Sequence, residues 1–327
     1  VPDDAGLPKG AALDTAIARA ADRRSAVART TTAYRLVDDA GDGLPGLVVD
    51  RYADWALANL LTEEAVRRAP DVGRGLLALG LRGVYTVRRP RADLRRVERE
   101  DLAVAAPLGE PAPPDFVVQE GELRAHVSLD DGLSTGLFID QRDNRALVRE
   151  TSGGARVLNL FAYTCTFTVA AALGGARETV SVDLSKKALS RGNVNLSTNG
   201  VAGPAHRLLA SDALDFLRRT RRRGDVFDVV VLDPPSFGTR RRGTFSVERD
   251  YARLAEDAFA VLAPGGRLLA VTNHRATSLA AFRTTLERSA LAAGRRIAER
   301  RALAMPEDFP HRIAGEPTTK SEIVTVG

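Results

Sequence analysis

From residue 156 onward the sequence predicts an α/β fold, a seven-stranded doubly wound parallel sheet, with a small α+β module before it. Three observations predict it. Strand-like runs alternate with helix-length runs: RVLNLFA, TVSVD, HRLLAS, VFDVVVLD and RLLAVT, then weaker strands at 295–303 and 321–326. Helices fall between them, at about 164–174, 185–199, 212–222, 248–263 and 277–291. Such alternation marks parallel strands joined by crossover helices. Residues 226–232, VFDVVVL, have the length and β-branched content of a strand buried on both faces. Asp233-Pro234-Pro235 ends it, because proline cannot donate to a sheet ladder. Finally, the second to fourth strands finish at Asp183, Asp212 and Asp233. Random strand ends would vary, and open α/β sheets bind ligands beyond the carboxyl ends of their strands.

Upstream, residues 11–29 are helical by period, with Leu13, Ile17, Ala20 and Ala21 on one stripe. YRLV, GLVVDRY and WALANLL follow, separated by Gly, Pro and Asp as in a β-meander. A weaker helix covers 63–80, broken near Pro70 and Gly73, and GVYTVRR at 83–89 is a further strand. The stretch PLGEPAPPD at 107–115 is the best linker, and FVVQEGELRAHVSL after it reads as a hairpin. The expected division is an N-terminal helical arm at 1–30, a small α+β RNA-binding or linker module at 31–114, and the sheet domain at 115–327. Arg88, Arg89, Arg91, Arg95, Arg96 and Arg99 alternate with Asp93, Glu98, Glu100 and Asp101, which reads as solvated surface first and RNA contact second. STGLFIDQRDNR at 134–145 gathers Phe138, Asp140, Gln141 and Arg142 ahead of a helix. A polar ligand, or an Asp-capped helix start, explains that cluster.

With 44% hydrophobic and 27% charged residues over 327 positions, the chain has the composition of a soluble globular enzyme. A single cysteine, Cys165, excludes an intrachain disulfide framework and a Cys-based zinc site, and four scattered histidines leave no metal expected. A reducing cytoplasm is the natural compartment. The N-terminus VPDDAGLPKG carries no secretory pattern, and the longest nearly apolar run, 157–176, holds Asn159, Tyr163 and several threonines, so no membrane span is expected. The net charge is +5, and lysine occurs only at Lys9, Lys186, Lys187 and Lys320. Guanidinium forks match phosphate oxygens, which favours a nucleic-acid partner. Codon bias in a GC-rich genome is the plain alternative.

The turn after the first sheet strand decides the cofactor. Asn159-Leu160-Phe161-Ala162-Tyr163-Thr164-Cys165 contains no glycine, and close approach to a pyrophosphate needs one. A dinucleotide is therefore disfavoured, and S-adenosylmethionine fits better. Asp183, with Leu184, would serve the ribose, and Asp212, with Ala213, the adenine. Phe138, Gln141, Arg142 and the turn residues Asn159, Phe161, Tyr163 and Thr164 would complete the site, with Asp233 at its inner edge. A planar base would lie on Asp233, Pro234, Pro235 and Phe237. Arg240, Arg241 and Arg242 beside that pocket would meet phosphates, whereas Arg218, Arg219 and Arg221 to Arg223 suit a helix C-terminus. His311 and Lys320 are further candidates for the substrate face.

These residues resemble the bacterial class I S-adenosylmethionine-dependent 23S ribosomal RNA large-subunit methyltransferases, which make 5-methylcytosine or 7-methylguanine. The resemblance runs from about Tyr34 to the C-terminus, on AYRLVDDAGDGLPGLVVDRY, TGLFIDQRDNR, VLNLFAYT, DPPSF, FSVERDY and VTNHR. It implies a Rossmann-like methyltransferase domain, an RNA substrate and a possible homodimer. The family usually carries an N-terminal PUA domain, and this chain is expected to lack it.

Cytosine C5 needs a thiolate to add at C6. The cytosine members supply that cysteine after the fifth strand, where this chain has Thr272-Asn273-His274, and Cys165 instead occupies a turn position at which many members have glycine. Cys165 is therefore expected to be a small buried residue. Guanine N7 carries its own lone pair and needs only placement in line with the methyl group. The guanine-N7 members also lack the cysteine and carry an asparagine pair after the fifth strand, which implies a place for Asn273 beside the base, and DPPSF, VERD and VTNH match that branch. The expected activity is guanine-N7 methylation of 23S ribosomal RNA. An exocyclic-amine or small-molecule methyltransferase is the alternative, and an RNA-binding module with a dead cofactor site a third reading.

Overall fold

The computed structural model describes residues 6–89, 104–130, 134–235, 237–239, 244–313 and 315–327. The chain forms two compact units, one of residues 1–140 with Pro306–Arg312, the other of Gln141–Met305 with Ile313–Gly327.

The first unit opens with α1 (Ala11–Arg23), whose Leu13, Ile17 and Ala20 are buried as their period requires. Strands β1 (Ala33–Asp38), β2 (Leu47–Tyr52) and β3 (Trp55–Leu60) form the expected meander. The weak helix divides into α2 (Glu63–Arg67) and α3 (Ala69–Leu77), with Pro70 in the first turn of α3, where its missing N–H costs nothing. β4 (Gly83–Arg88) then pairs parallel with β3, and β5 (Leu108–Gly109) closes the five-stranded sheet. β6 (Phe116–Glu120) and β7 (Leu123–Val127) form the expected hairpin.

Two features of this unit differ from the reading of the sequence. The stretch at 107–115 is more than a linker: β5 lies within it, and the Trp55 indole donates to the Glu110 carbonyl at 3.1 Å. The hairpin after it belongs to the same unit, because Thr31 and Thr32 hydrogen-bond to Gln119. The acids of the β1–β2 turn are also interior groups. Arg24 donates twice to Asp42 at 2.6 Å, and Arg35 donates to Asp50 at 2.5 Å and to Asp38 at 2.6 Å. Burial alone would lower the Arg35 pKa, but Asp50 and Asp38 together raise it, so the guanidinium stays charged. Asp308 and His311, from the returning segment Pro306–Arg312, join this cluster. Asp308 accepts the Arg35 amide at 2.9 Å, and the His311 amide donates to Asp38 at 2.7 Å.

The second unit begins with α4 (Arg142–Thr151). Strand and helix then alternate: β8 (Arg156–Leu160), α5 (Thr166–Leu173), β9 (Glu178–Asp183), α6 (Lys186–Thr198), β10 (His206–Ala210), α7 (Ala213–Arg223) and β11 (Phe227–Leu232). After the short β12 (Phe237–Thr239) and β13 (Thr244–Ser246) come α8 (Val247–Ala260), β14 (Leu262–Thr272), α9 (Leu279–Ala292) and β15 (Ile297–Leu303). Two-residue strands β16 (Arg312–Ile313) and β17 (Glu316–Pro317) precede β18 (Lys320–Val326). The large sheet has seven strands in the order β10-β9-β8-β11-β14-β18-β15. It is parallel from β10 to β14, as expected, but β18 runs antiparallel to both its neighbours. The pleat sends alternate residues to opposite faces. Leu158, Leu160, Val230 and Leu232 pack with α7, α8 and α9, while Val157, Val229 and Val231 pack with α4 and α5.

Candidate active site

The carboxyl edge of this sheet is assembled around the turn after β8. Phe161, Tyr163 and Cys165 all take left-handed backbone angles, with φ of 56°, 47° and 61°. Each costs a non-glycine residue roughly 1–2 kcal/mol, so the surroundings must hold the turn in place. They do so through both backbone and side chains. Ala162 N–H donates to Val182 O at 3.0 Å, Tyr163 N–H to Asp183 Oδ2 at 2.8 Å, and Asn195 Nδ2 to Thr164 O at 2.8 Å. Asn159 lies fully buried beneath the turn, its amide donating to Thr168, whose hydroxyl meets Ser181 at 2.6 Å.

The absent glycine has a counterpart on the facing helix. A Cβ on Gly192 of α6 would stand 2.5 Å from Cys165 Sγ, so glycine there makes room for the thiol. Cys165 is completely buried, and burial pushes its pKa up to about 12. It is a packing group, as the sequence led one to expect, and a protonated one at neutral pH.

The three strand-terminal acids stand at this edge in different states. Asp183 accepts Tyr163 N–H through one oxygen and Ser185 N–H, at 2.8 Å, through the other. Asp212 caps α7 by accepting Asp215 N–H at 3.1 Å. Asp233 is half-buried, Pro234 buried and Pro235 exposed. Beyond β9 and β10 a cleft of about 460 Å³ is lined by Leu184, Leu209, Ser211, Asp212 and Phe216 among others. Asp215 and Arg219 also line it, and the apolar faces of Leu184, Leu209 and Phe216 beside the Asp212 carboxylate suit an adenine ring, with Leu184 half exposed. Ala213 is buried in the first turn of α7.

The other expected residues are more scattered. Gln141 is buried, its Oε1 accepting from Asn144 Nδ2 at 2.7 Å, and Asn144 also donates to Ser321 on β18. Arg142 lies 3.5 Å from Asp143. Phe138 is an exposed residue of the first unit, and His311 is tied to Asp38 there. Asn273 is exposed just beyond β14. Phe237 has its backbone in β12, paired with Ser246, and its side chain lies outside the described residues, as do Arg240, Arg241 and Arg242 entirely. Arg218 to Arg223 end α7 as expected, before Gly224 in the left-handed region.

Tyr251 escaped the sequence reading. It is buried on α8, and burial together with the charge of Asp233 raises its pKa well above the usual value. The signal was present in ERDY, where a tyrosine follows three charged residues on a helix, but the pattern does not say which way the ring points.

Residues 46–316 match the S-adenosylmethionine-dependent methyltransferase family. The chain belongs to that family. It is 35% identical over 290 residues to ribosomal RNA large subunit methyltransferase I of Aeromonas hydrophila, covering 85% of this chain and 70% of that one. It is 34% identical over 303 residues to a ribosomal RNA large subunit methyltransferase of Deinococcus radiodurans, covering 88% and 71%. The solved structure of SMU.776, a methyltransferase candidate complexed with S-adenosylhomocysteine, superposes with a TM-score of 0.84 at 29% identity, covering 96% of this chain and 80% of that one. The chain is thus an S-adenosylmethionine-dependent methyltransferase. When bound, that cofactor supplies an electrophilic methyl group on a sulfonium. Among the described residues no helix is long and apolar enough to cross a membrane.

Proposed function

We propose that this methyltransferase modifies a base of 23S ribosomal RNA at guanine N7, without a cysteine nucleophile. The observation that carries the chemistry is Cys165, sealed beneath the cofactor turn with its pKa pushed up to about 12, while Asn273 stands after β14. A buried neutral thiol cannot add to C6 of cytosine, so a base that brings its own lone pair is favoured. The RNA substrate is supported by the named activity of the relatives and by the arginine-rich composition.

In this reading Asp183 accepts from the ribose hydroxyls, since each of its oxygens keeps a lone pair after meeting a backbone N–H. Asp212, Ala213 and the apolar wall formed by Leu184, Leu209 and Phe216 hold the adenine. Gln141, Arg142 and the turn at Asn159, Phe161, Tyr163 and Thr164 hold the amino-acid end. Pro234 and Pro235 give the base a rigid platform, and the Asp233 carboxylate offsets the positive charge that an N7-methylated ring carries. Phe237 and Asn273 border the base, and Arg240 to Arg242 meet RNA phosphates. The division into a helical arm, a small α+β module and a catalytic domain assigns RNA docking to the module.

The test is mass spectrometry of nucleosides from 23S RNA of cells with and without the gene. One 7-methylguanosine lost with the gene, and restored by the purified enzyme, is the expected result. A missing 5-methylcytidine or methylated exocyclic amine, or an RNA with no change, would overturn it.

A further inference from the structure

Lysine is scarce in this chain, at four positions against an abundance of arginine, and one of the four is buried. Lys320 opens β18 and is only 3% exposed. Its register partner is Thr272, the last residue of β14. On the other side of β14, Leu232 of β11 pairs with Ala270, and Asp233-Pro234-Pro235 follows directly. The prolines and Lys320 therefore flank the end of β14, two strand spacings apart, roughly 10 Å. That span matches a purine ring lying over Thr272 and beside Asn273.

A lysine taken out of water needs compensation, ordinarily a carboxylate at hydrogen-bonding distance. Lys320 has less. Among the described residues its charged neighbour is Glu316, with Nζ and Oε2 3.8 Å apart, an ion pair too long for a hydrogen bond. Glu316 is held elsewhere, its two oxygens accepting the Leu279 amide of α9 at 3.2 and 3.1 Å. An ammonium has three donors, and none is used in a hydrogen bond to a described residue. Burial lowers the Lys320 pKa while Glu316 raises it, and the lowering prevails.

Lone-pair chemistry at N7 does not by itself choose a guanine, because adenine presents the same N7 acceptor. The two differ at position 6, where guanine has the O6 acceptor and adenine an amino donor. A donor aimed at that position accepts one and rejects the other. The Lys320–Glu316 pair supplies a donor without net charge, which matters beside a ring that becomes cationic. We propose that Lys320 is a specificity-determining residue of the transfer site, its ammonium donating to O6 of the guanine that is methylated. The inference rests on the guanine-N7 reading above.

The probe is an RNA oligonucleotide spanning the nucleotide mapped by the nucleoside experiment, carrying guanine or 2-aminopurine at the target. 2-Aminopurine keeps N7 and lacks O6. Wild-type kcat/KM is expected to fall roughly 10- to 100-fold on the 2-aminopurine RNA, in line with the discrimination a well-placed base contact provides. Lys320→Met should lose a similar factor on guanine but little more on 2-aminopurine, since the contact is already gone. Lys320→Gln, which keeps a donor, should fall between. Affinity of the S-adenosylhomocysteine-loaded enzyme for the two RNAs, read by fluorescence anisotropy, should show the same coupling. Equal turnover of both RNAs by the wild-type enzyme, or losses that multiply independently in Lys320→Met, would overturn the proposal. A product other than 7-methylguanosine would instead appear in the mapping step, before any Lys320 variant is made.

Discussion

The two edges of the seven-stranded sheet are built on opposite electrostatic plans. At the amino edge the strand-starting charges neutralise one another. Arg156 meets Glu178 at 2.8 Å and lies over the Phe227 ring, Arg207 meets the same Glu178 at 2.8 Å, and Arg177 meets Asp228 at 3.4 Å. At the carboxyl edge Asp183 and Asp212 have no ion pair among the described residues and accept main-chain N–H groups instead. The same edge carries three left-handed residues at alternate positions of one turn. Mutual neutralisation consumes charge for modest stability, whereas carboxylates held by amides keep lone pairs for a ligand. Strain and open acceptors at one edge, and closed pairs at the other, separate what the sheet does from what keeps it folded.

That contrast can be broken most severely at Asp183. Asp183→Ala removes the acceptor for Tyr163 and Ser185 together with the proposed ribose contact, and S-adenosylhomocysteine affinity by calorimetry should fall more than about 100-fold, each lost hydrogen bond to a charged group contributing roughly 1.5–3 kcal/mol. Unchanged affinity would remove the site assignment. Asp233→Ala should act on turnover instead, lowering kcat at least about tenfold more than it lowers cofactor affinity. Equal losses in both would place Asp233 on the cofactor rather than the base.

Gly192→Ala probes the support beneath the turn. Its Cβ would lie 2.5 Å from Cys165 Sγ, and the overpacking should cost about 1–3 kcal/mol in a denaturant melt. Adding Cys165→Gly should recover most of the loss. The smallest effect belongs to the amino edge. Arg156→Ala and Glu178→Ala should each cost about 1 kcal/mol or less and leave S-adenosylhomocysteine affinity unchanged. A change in affinity there would abolish the distinction between the edges.

Much of the second unit was legible because parallel strands buried on both faces are continuous apolar runs, and each crossover helix has room to show its own period. The helix expected at 185–199 is α6 at Lys186–Thr198, and that at 277–291 is α9 at Leu279–Ala292. The direction of β18 was not legible, since the side-chain pattern of a strand does not encode which way it runs. In the site, Asp183, Asp212 and Asp233 could be placed from strand ends alone. The partners of Gln141 and Asn144 could not, because Ser321 lies far along the chain. Nor could the β1–β2 acids be recognised as interior groups. Asp38, Asp39 and Asp42 have the composition of a solvated turn until Arg24, Arg35 and the segment Pro306–Arg312 are brought against them.

By itself the sequence determined the order of strands and helices, the edge at which the acids gather, and the lack of a cysteine where cytosine chemistry would need one. These follow from local pattern and from residue type. Only the tertiary structure decided that a turn without glycine can hold three left-handed residues, because Val182, Asp183 and Asn195 tie down its backbone and Gly192 on another helix leaves room for the Cys165 thiol. It alone put Lys320 beside Thr272, a pairing that depends on an antiparallel strand entering the sheet between β14 and β15. Burial and long-range register are properties of the packed chain, and no stretch of sequence carries them on its own.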